Sequence, residues 1–401
     1  MQYMEQKIMD KLKMLKIRDL IHFIKFLFAL PAALCFRCRH KDLWVICDYE
    51  MEARDNPYWL FKYIRECHPK QEVVYAISYA SPDYQRVASL GKTVPYGSLK
   101  HWIYYLAASK NISSQKGGKP NAAVCYLLEV SGLWKNTRVF LQHGIIKDDL
   151  TYLYYKYTKM RMFVCSVPRE FQFVQDTYGY PEGYVKMLGL CRYDNLFPVE
   201  SKEKILLVMP TWRKWIAHSV SNPVETFENF EETDFAKSWK NFLSDSRLQK
   251  MLEQEDMKMV FYLHRNMQKY AEYFTSMSHG AVIATWPEYD CQQLMKEAKC
   301  MITDYSSVAM DFAYMRKPVL YYQFDYERFR AGHMGEGYYD YQQDGFGPIC
   351  EDTSVLLTEL EHTLQRQCCM EETYVQRCEK FFYFHDKEYC KRNYEAIKQL
   401  P

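Results

Sequence analysis

Short apolar runs alternate with amphipathic stretches along most of this chain. Residues 43–47, 73–78, 138–142, 162–167 and 185–189 are apolar runs of strand length. Residues 56–67 place Trp59, Leu60, Tyr63 and Ile64 at helical spacing, a second helical pattern covers 98–107, and a weaker apolar segment surrounds Ile112. The pattern lapses over 192–203, where Pro198 stands among polar and charged residues. It resumes with runs at 204–209, 258–263, 281–285, 300–303 and 319–324, interrupted by a polar insertion at 218–234 and a helix over 235–253. Strands alternating with helices predict an α/β protein with doubly wound parallel sheets. The lapse divides it into two Rossmann-like lobes, 42–198 and 199–401, facing across a cleft, with closing helices at the end.

Residues 1–41 form a separate segment. Lys11, Lys13, Lys16 and Arg18 precede an apolar run at 20–36 that contains His22, Lys25 and Pro31; Arg37, Arg39 and Lys41 follow. The run is short for a membrane span and Pro31 interrupts it, and no small-residue cleavage site follows. Basic flanks around an apolar core predict an amphipathic helix lying on an anionic membrane surface. The alternative is an ordinary helix packed on the lobe behind it.

A formal charge of +2 over 401 residues argues against a general nucleic-acid binder. Many of the fourteen cysteines sit in apolar runs, where cysteine acts as a small hydrophobe. Cys35 and Cys38 form a lone C-x-x-C with no second pair at zinc spacing, so no metal is expected. Without a cleavable signal, reduced thiols in the cytosol are expected.

Candidate chemistry gathers where the predicted strands end. His143-Gly144 follows 138–142, Thr211-Trp-Arg213 follows 204–209, His264 follows 258–263, and Asp304-Tyr-Ser-Ser307 follows 300–303. Ligands of doubly wound sheets bind beyond the strand carboxyl ends. The 300–324 stretch reads as strand, hydroxyl-rich turn, helix and strand, which presents Ser306, Ser307 and a helix N-terminus to an anion. Asp304, Ser306 or Ser307 could instead simply cap that helix. Histidine, arginine and serine at neighbouring strand ends together describe a pyrophosphate site.

These residues resemble the CDP-glycerol glycerophosphotransferases of teichoic acid and related polyol-phosphate polymer synthesis. The resemblance rests on Asp55-Asn-Pro-Tyr-Trp-Leu-Phe, Gln142-His-Gly144, Pro210-Thr-Trp-Arg213, Leu263-His264, Thr303-Asp-Tyr-Ser-Ser307 with Asp311, Lys317-Pro318 and Gly345-Phe-Gly-Pro348. It implies a GT-B-like fold and monotopic attachment to the cytoplasmic face of the membrane. It also implies transfer of glycerol phosphate from CDP-glycerol, or ribitol phosphate from CDP-ribitol, to a lipid-linked or polysaccharide hydroxyl, with release of CMP and no cofactor. By motif, His143 takes the place of the general base, and His264 that of a second catalytic histidine on the donor phosphates. Arg213, Ser306, Ser307, Asp311, Asp304 and Thr211 take donor-phosphate positions, and Gly144 and Lys147 lie on the acceptor side. Where the family often continues His-Gly with Thr-Pro-Leu-Lys, this chain has Ile145-Ile-Lys147. Two other functions share the fold: a nucleotide-sugar glycosyltransferase, and a non-catalytic membrane-associated binding protein that keeps only the anion pocket.

Overall fold

The computed structural model describes residues 16–131, 134, 137–201, 203–217, 229–275 and 280–401. Lys11, Lys13 and most of the polar insertion lie outside the described residues. The first sheet contains β1 (Trp44–Cys47), β2 (Val73–Ile77), β3 (Thr93–Pro95), β4 (Lys110–Ser113), β5 (Arg138–Phe140), β6 (Met162–Cys165) and β7 (Val185–Met187), in the order β3-β2-β1-β4-β5-β6-β7. The second contains β8 (Lys204–Met209), β9 (Met257–Tyr262), β10 (Val282–Ala284), β11 (Cys300–Thr303), β12 (Val319–Tyr322) and β13 (Ile349–Cys350), in the order β10-β9-β8-β11-β12-β13. Every recorded strand pair is parallel. Helices cover both faces, so central strands such as β1, β2 and β11 are buried throughout. Each large apolar side chain buried there contributes about 1.5–3 kcal/mol. The two-lobed α/β architecture expected from the sequence is the one observed.

Several elements differ in detail. The weak segment near Ile112 is β4, in the middle of the first sheet. Its pattern is weak because it buries polar groups with partners: Asn111 Nδ2 donates to the Tyr105 carbonyl at 3.1 Å, and Lys110 Nζ to the Pro401 carbonyl at 2.8 Å. The helix expected over 235–253 is two helices, Asp234–Leu243 and Ser246–Gln254, because Asp245 caps the second through the Arg247 amide. The final helix, Tyr389–Lys398, returns to the first lobe. There Asp194 accepts from the Tyr389 and Cys390 amides at 2.8 Å, and Tyr394 stacks on His68.

The N-terminal helix runs unbroken from Ile17 to Arg39, with Pro31 inside it. It is long and apolar enough to cross a membrane by length and composition. One stripe, His22, Phe26, Ala29 and Ala33, is buried against the first lobe. His22 Nδ1 accepts from Trp102 Nε1 at 3.1 Å, and Lys25 donates to the Gly97 carbonyl at 2.8 Å. The opposite face carries Leu20, Ile24, Leu27, Phe28 and Leu34 in the open, with Phe28 73% exposed.

Candidate active site

An open parallel sheet reverses its winding at one point, and the strand ends on either side leave a crevice. In the second sheet that point lies between β8 and β11, the strands that lead into Pro210–Arg213 and Asp304–Ser307. In the first sheet it lies between β1 and β4, which lead into Asp48 and Ser114, with β5 and His143 alongside.

His143 is presented by a sharp turn. The Leu141 amide still donates to the Ser113 carbonyl at 2.8 Å, and Gln142 then adopts a left-handed φ of 67°. Such a conformation costs a non-glycine residue about 1–3 kcal/mol and persists only where the surroundings hold it. Asn56 Nδ2 donates to the Gln142 carbonyl at 2.6 Å, and Gln142 Oε1 accepts from the His143 amide at 3.2 Å. Leu141 and Gln142 stay buried while His143 emerges into the cleft. The ring is solvent-exposed but walled in by protein. That loss of hydration lowers its pKa below 6.5; Asp55 and the Ser114 carbonyl oppose the shift and Arg192 adds to it. His143 is therefore neutral at pH 7 and free to take a proton.

Ser307 sits directly opposite. A Cβ built on Gly144 would lie 2.9 Å from Ser307 Oγ, so the two lobes meet closely here and a side chain at 144 would displace that hydroxyl. Ser307 precedes the seven-residue helix Val308–Tyr314 and makes no side-chain cap bond. Ser306 Oγ accepts from the Val308 amide at a loose 3.4 Å. Neither hydroxyl is consumed by capping.

Arg213 and Asp304, expected on the phosphate, face each other instead. Arg213 is 0% exposed. Its Nε and Nη2 donate to Asp325 at 2.8 and 2.9 Å, Nη2 lies 2.9 Å from Asp304 Oδ2, and Nη1 donates to the Thr211 carbonyl at 2.7 Å. Asp304 Oδ1 also accepts from the Thr211 and Tyr305 amides at 2.8 and 2.6 Å. These bonds tie the ends of β8, β11 and β12 together. The Thr211 hydroxyl is buried and has no partner.

His264 follows β9. Its Nδ1 accepts from the Asn266 amide at 3.2 Å, which places the proton on Nε2. Burial, with Arg265 adding to it, pushes its pKa down to about 4, so it is a neutral donor rather than a cation at pH 7. The Trp212 indole lies stacked against it at 6.0 Å and meets His333 edge-on at 4.7 Å. His333 is built the same way: Nδ1 accepts from the Lys214 amide at 3.1 Å, and Nε2 is buried without a partner. Burial first, then Lys214 and Arg213, take its pKa to about 3.

Asp311, also expected on the donor, is bound within the protein. It accepts from Arg192 Nε and Nη2 at 3.0 Å each and from the Tyr193 hydroxyl at 2.8 Å. Lys147, expected on the acceptor side, is buried and paired with Asp148, over the Tyr341 ring. Asp148 in turn binds Arg330 of the second lobe at 2.5 Å. Burial would raise the Asp148 pKa, but Lys147 and Arg330 outweigh it and hold the pKa below the usual value. Lys147 thus joins the lobes rather than the cleft lining.

The structure therefore brings His143, Gly144 and Ser307 together and groups Thr211, Arg213 and Asp304. It sets His264 at the adjoining strand end and places Lys147 in an interlobe contact. Sequence reasoning missed Arg192, Asp55 and His333 as site residues. Asp55 stood inside a quoted motif without a role, and Arg192 lies where the apolar pattern lapses. Among the described residues, no cluster of three His, Cys, Asp or Glu is arranged to hold a metal.

The sequence profile of the CDP-Glycerol:Poly(glycerophosphate) glycerophosphotransferase family matches residues 29–399, and the chain belongs to that family. It is 32% identical over 366 residues to the minor teichoic acid biosynthesis protein GgaB of Bacillus subtilis (strain 168). That match covers 90% of this chain but only 40% of GgaB, so the chain spans about two-fifths of that relative's length. The wall teichoic acid polymerase TagF superposes with a TM-score of 0.64 at 16% identity, over 95% of this chain and 99% of that one. MnaA of S. aureus, solved with UDP, superposes with a TM-score of 0.54 at 10% identity, over 89% of this chain and 95% of that one. Both structures share the GT-B-like two-lobed fold.

Proposed function

We propose that the chain transfers glycerol phosphate, or a related polyol phosphate, from a CDP-polyol to a hydroxyl of a lipid-linked or polysaccharide acceptor, releasing CMP. The acceptor oxygen attacks the β-phosphorus in line as the bond to the CMP oxygen breaks. His143 takes the hydroxyl proton, a contribution of about 10²–10⁴-fold for a well-placed base. The Ser306 and Ser307 hydroxyls, His264 Nε2–H and the Thr211 hydroxyl donate to the phosphoryl oxygens and to departing CMP. A single such donor is worth about 10²–10³-fold. Arg213, Asp304 and Asp311 act from behind, holding those groups in place. The observation that carries this reading is the seat of His143-Gly144 against Ser307, with a neutral base on one lobe and free hydroxyls on the other.

The reaction is proposed for the cytoplasmic face of the membrane. The exposed apolar face of Ile17–Arg39, with exposed Lys16, Arg37 and Arg39 at its ends, fits a helix seated in an anionic lipid surface.

The test supplies the purified chain with CDP-glycerol or CDP-ribitol and acceptor-bearing membranes, and follows CMP and acceptor mass. The expected result is one CMP per polyol phosphate added. Release of a nucleoside diphosphate from a nucleotide sugar, with no CMP from either CDP-polyol, would establish the glycosyltransferase alternative instead.

A further inference from the structure

We infer that Arg192 is a positioning residue that makes closure of the two lobes and alignment of His143 a single event. The inference rests on the reading of His143 as the acceptor base. Arg192 lies in the turn Cys191–Asn195 that leaves the first sheet. Its backbone amide donates to Asn56 Oδ1 at 2.9 Å, and Asn56 holds the Gln142 carbonyl. Its Nη1 donates to the His143 carbonyl at 2.9 Å and to Asp55 at 2.7 Å. Its Nε and Nη2 grip Asp311 of the other lobe. One guanidinium thus holds the turn that presents His143 and, in the same plane, the helix that begins beside Ser307.

The chemistry fits arginine and no other residue. Only a planar fork with five N–H donors reaches a carbonyl and two carboxylates at once. Arg192 and Asp311 are both buried, so the pair exists only while the lobes are together, and removing either partner in the closed chain strands the other charge. The charge also acts on the base. The charged groups bearing on the His143 ring are Asp55, from the loop before the helix Asn56–Cys67, and Arg192, from the turn. They pull in opposite directions. Asp48 lies behind Asp55; burial and then Asp55 raise its pKa, which reduces its charge.

Two readouts test this. The first is the His143 titration by NMR of the free protein, which needs no substrate. The second is kcat and KM for CDP-glycerol from CMP release. In Arg192→Gln the His143 pKa should rise by about 0.5 or more, because Asp55 then acts unopposed. Its kcat should fall about 10²-fold with KM within about 3-fold, the signature of lost alignment rather than lost donor binding. Arg192→Lys should keep the wild-type pKa but not the rate, since an ammonium restores charge without the fork. Asp311→Asn should behave likewise, cutting the interlobe grip while leaving the charge near His143. These two variants carry the test if Arg192→Gln does not fold. Wild-type kcat in Arg192→Lys and Asp311→Asn, or an unmoved His143 pKa in a folded Arg192→Gln, would overturn the inference. A wild-type chain that releases no CMP from any CDP-polyol would overturn the transfer reaction instead, and the NMR titration would still decide the link between Arg192 and His143.

Discussion

In the second lobe the guanidinium of Arg213 lies 2.9 Å from Asp304 and 2.8 Å from Asp325, sealed from solvent. In the first lobe His143 stands exposed at the end of β5, with Asp55 and Arg192 behind it. The second lobe uses charge to fix its strand ends, and the proposed reaction assigns the donor phosphates to neutral groups, two serines and a histidine. The first lobe uses charge to tune a base. Formal charge at a strand end is therefore a poor guide to which side chain is left unpaired for a ligand. Neutral donors with fixed tautomers or unused hydroxyls are the better one.

The comparison can be broken at either lobe. The largest effect is expected in the sealed cluster. Arg213→Gln leaves Asp304 and Asp325 buried without their shared partner and should cost about 3–5 kcal/mol of stability, read as a large drop in melting temperature. A stable, folded Arg213→Gln that loses only donor affinity would return Arg213 to the phosphate. Next is the serine pair. Ser306→Ala with Ser307→Ala should keep the melting temperature and lower kcat/KM for CDP-glycerol about 10²-fold or more. A drop in stability at full activity would make both serines mere helix caps.

A third effect concerns acid. The His101 and His333 pKa values lie at about 3 in the folded chain, chiefly through burial. Between pH 6.5 and about 3 the unfolded chain binds protons that the folded chain refuses. The stability from these groups is complete above pH 6.5 and drains away as pH falls toward 3. Melts from pH 7 to 4 should show this decline, and His333→Gln should make it shallower. An equal decline in that variant would remove His333 from the account.

Much of the fold was legible because strands buried on both faces read as apolar runs: Leu206, Val208 and Ile302 need no context to be placed inside. β4 was faint because Lys110, Asn111 and Ser113 are buried with distant or backbone partners that no local pattern reveals. Pro31 was read as a break, yet the helix continues through it while its buried stripe stays anchored on Trp102 and Gly97. Around the candidate site, the positions of His143, His264 and the serines just beyond strand ends were legible from the apolar runs before them. The role of Arg213 was not, because the carboxylates that occupy it come from residues 304 and 325, about a hundred positions away. Arg192 was hidden for the same reason, since its partners Asp55 and Asp311 meet only when the lobes close.

The central claim is that a neutral His143, held against the serine face of the other lobe, takes the acceptor proton. The direct measurement is the initial rate of CMP release from CDP-glycerol with acceptor membranes, for wild type and His143→Ala matched in melting temperature. The rate should fall by about 10²–10⁴-fold. A His143→Ala rate within about two-fold of wild type would contradict the claim.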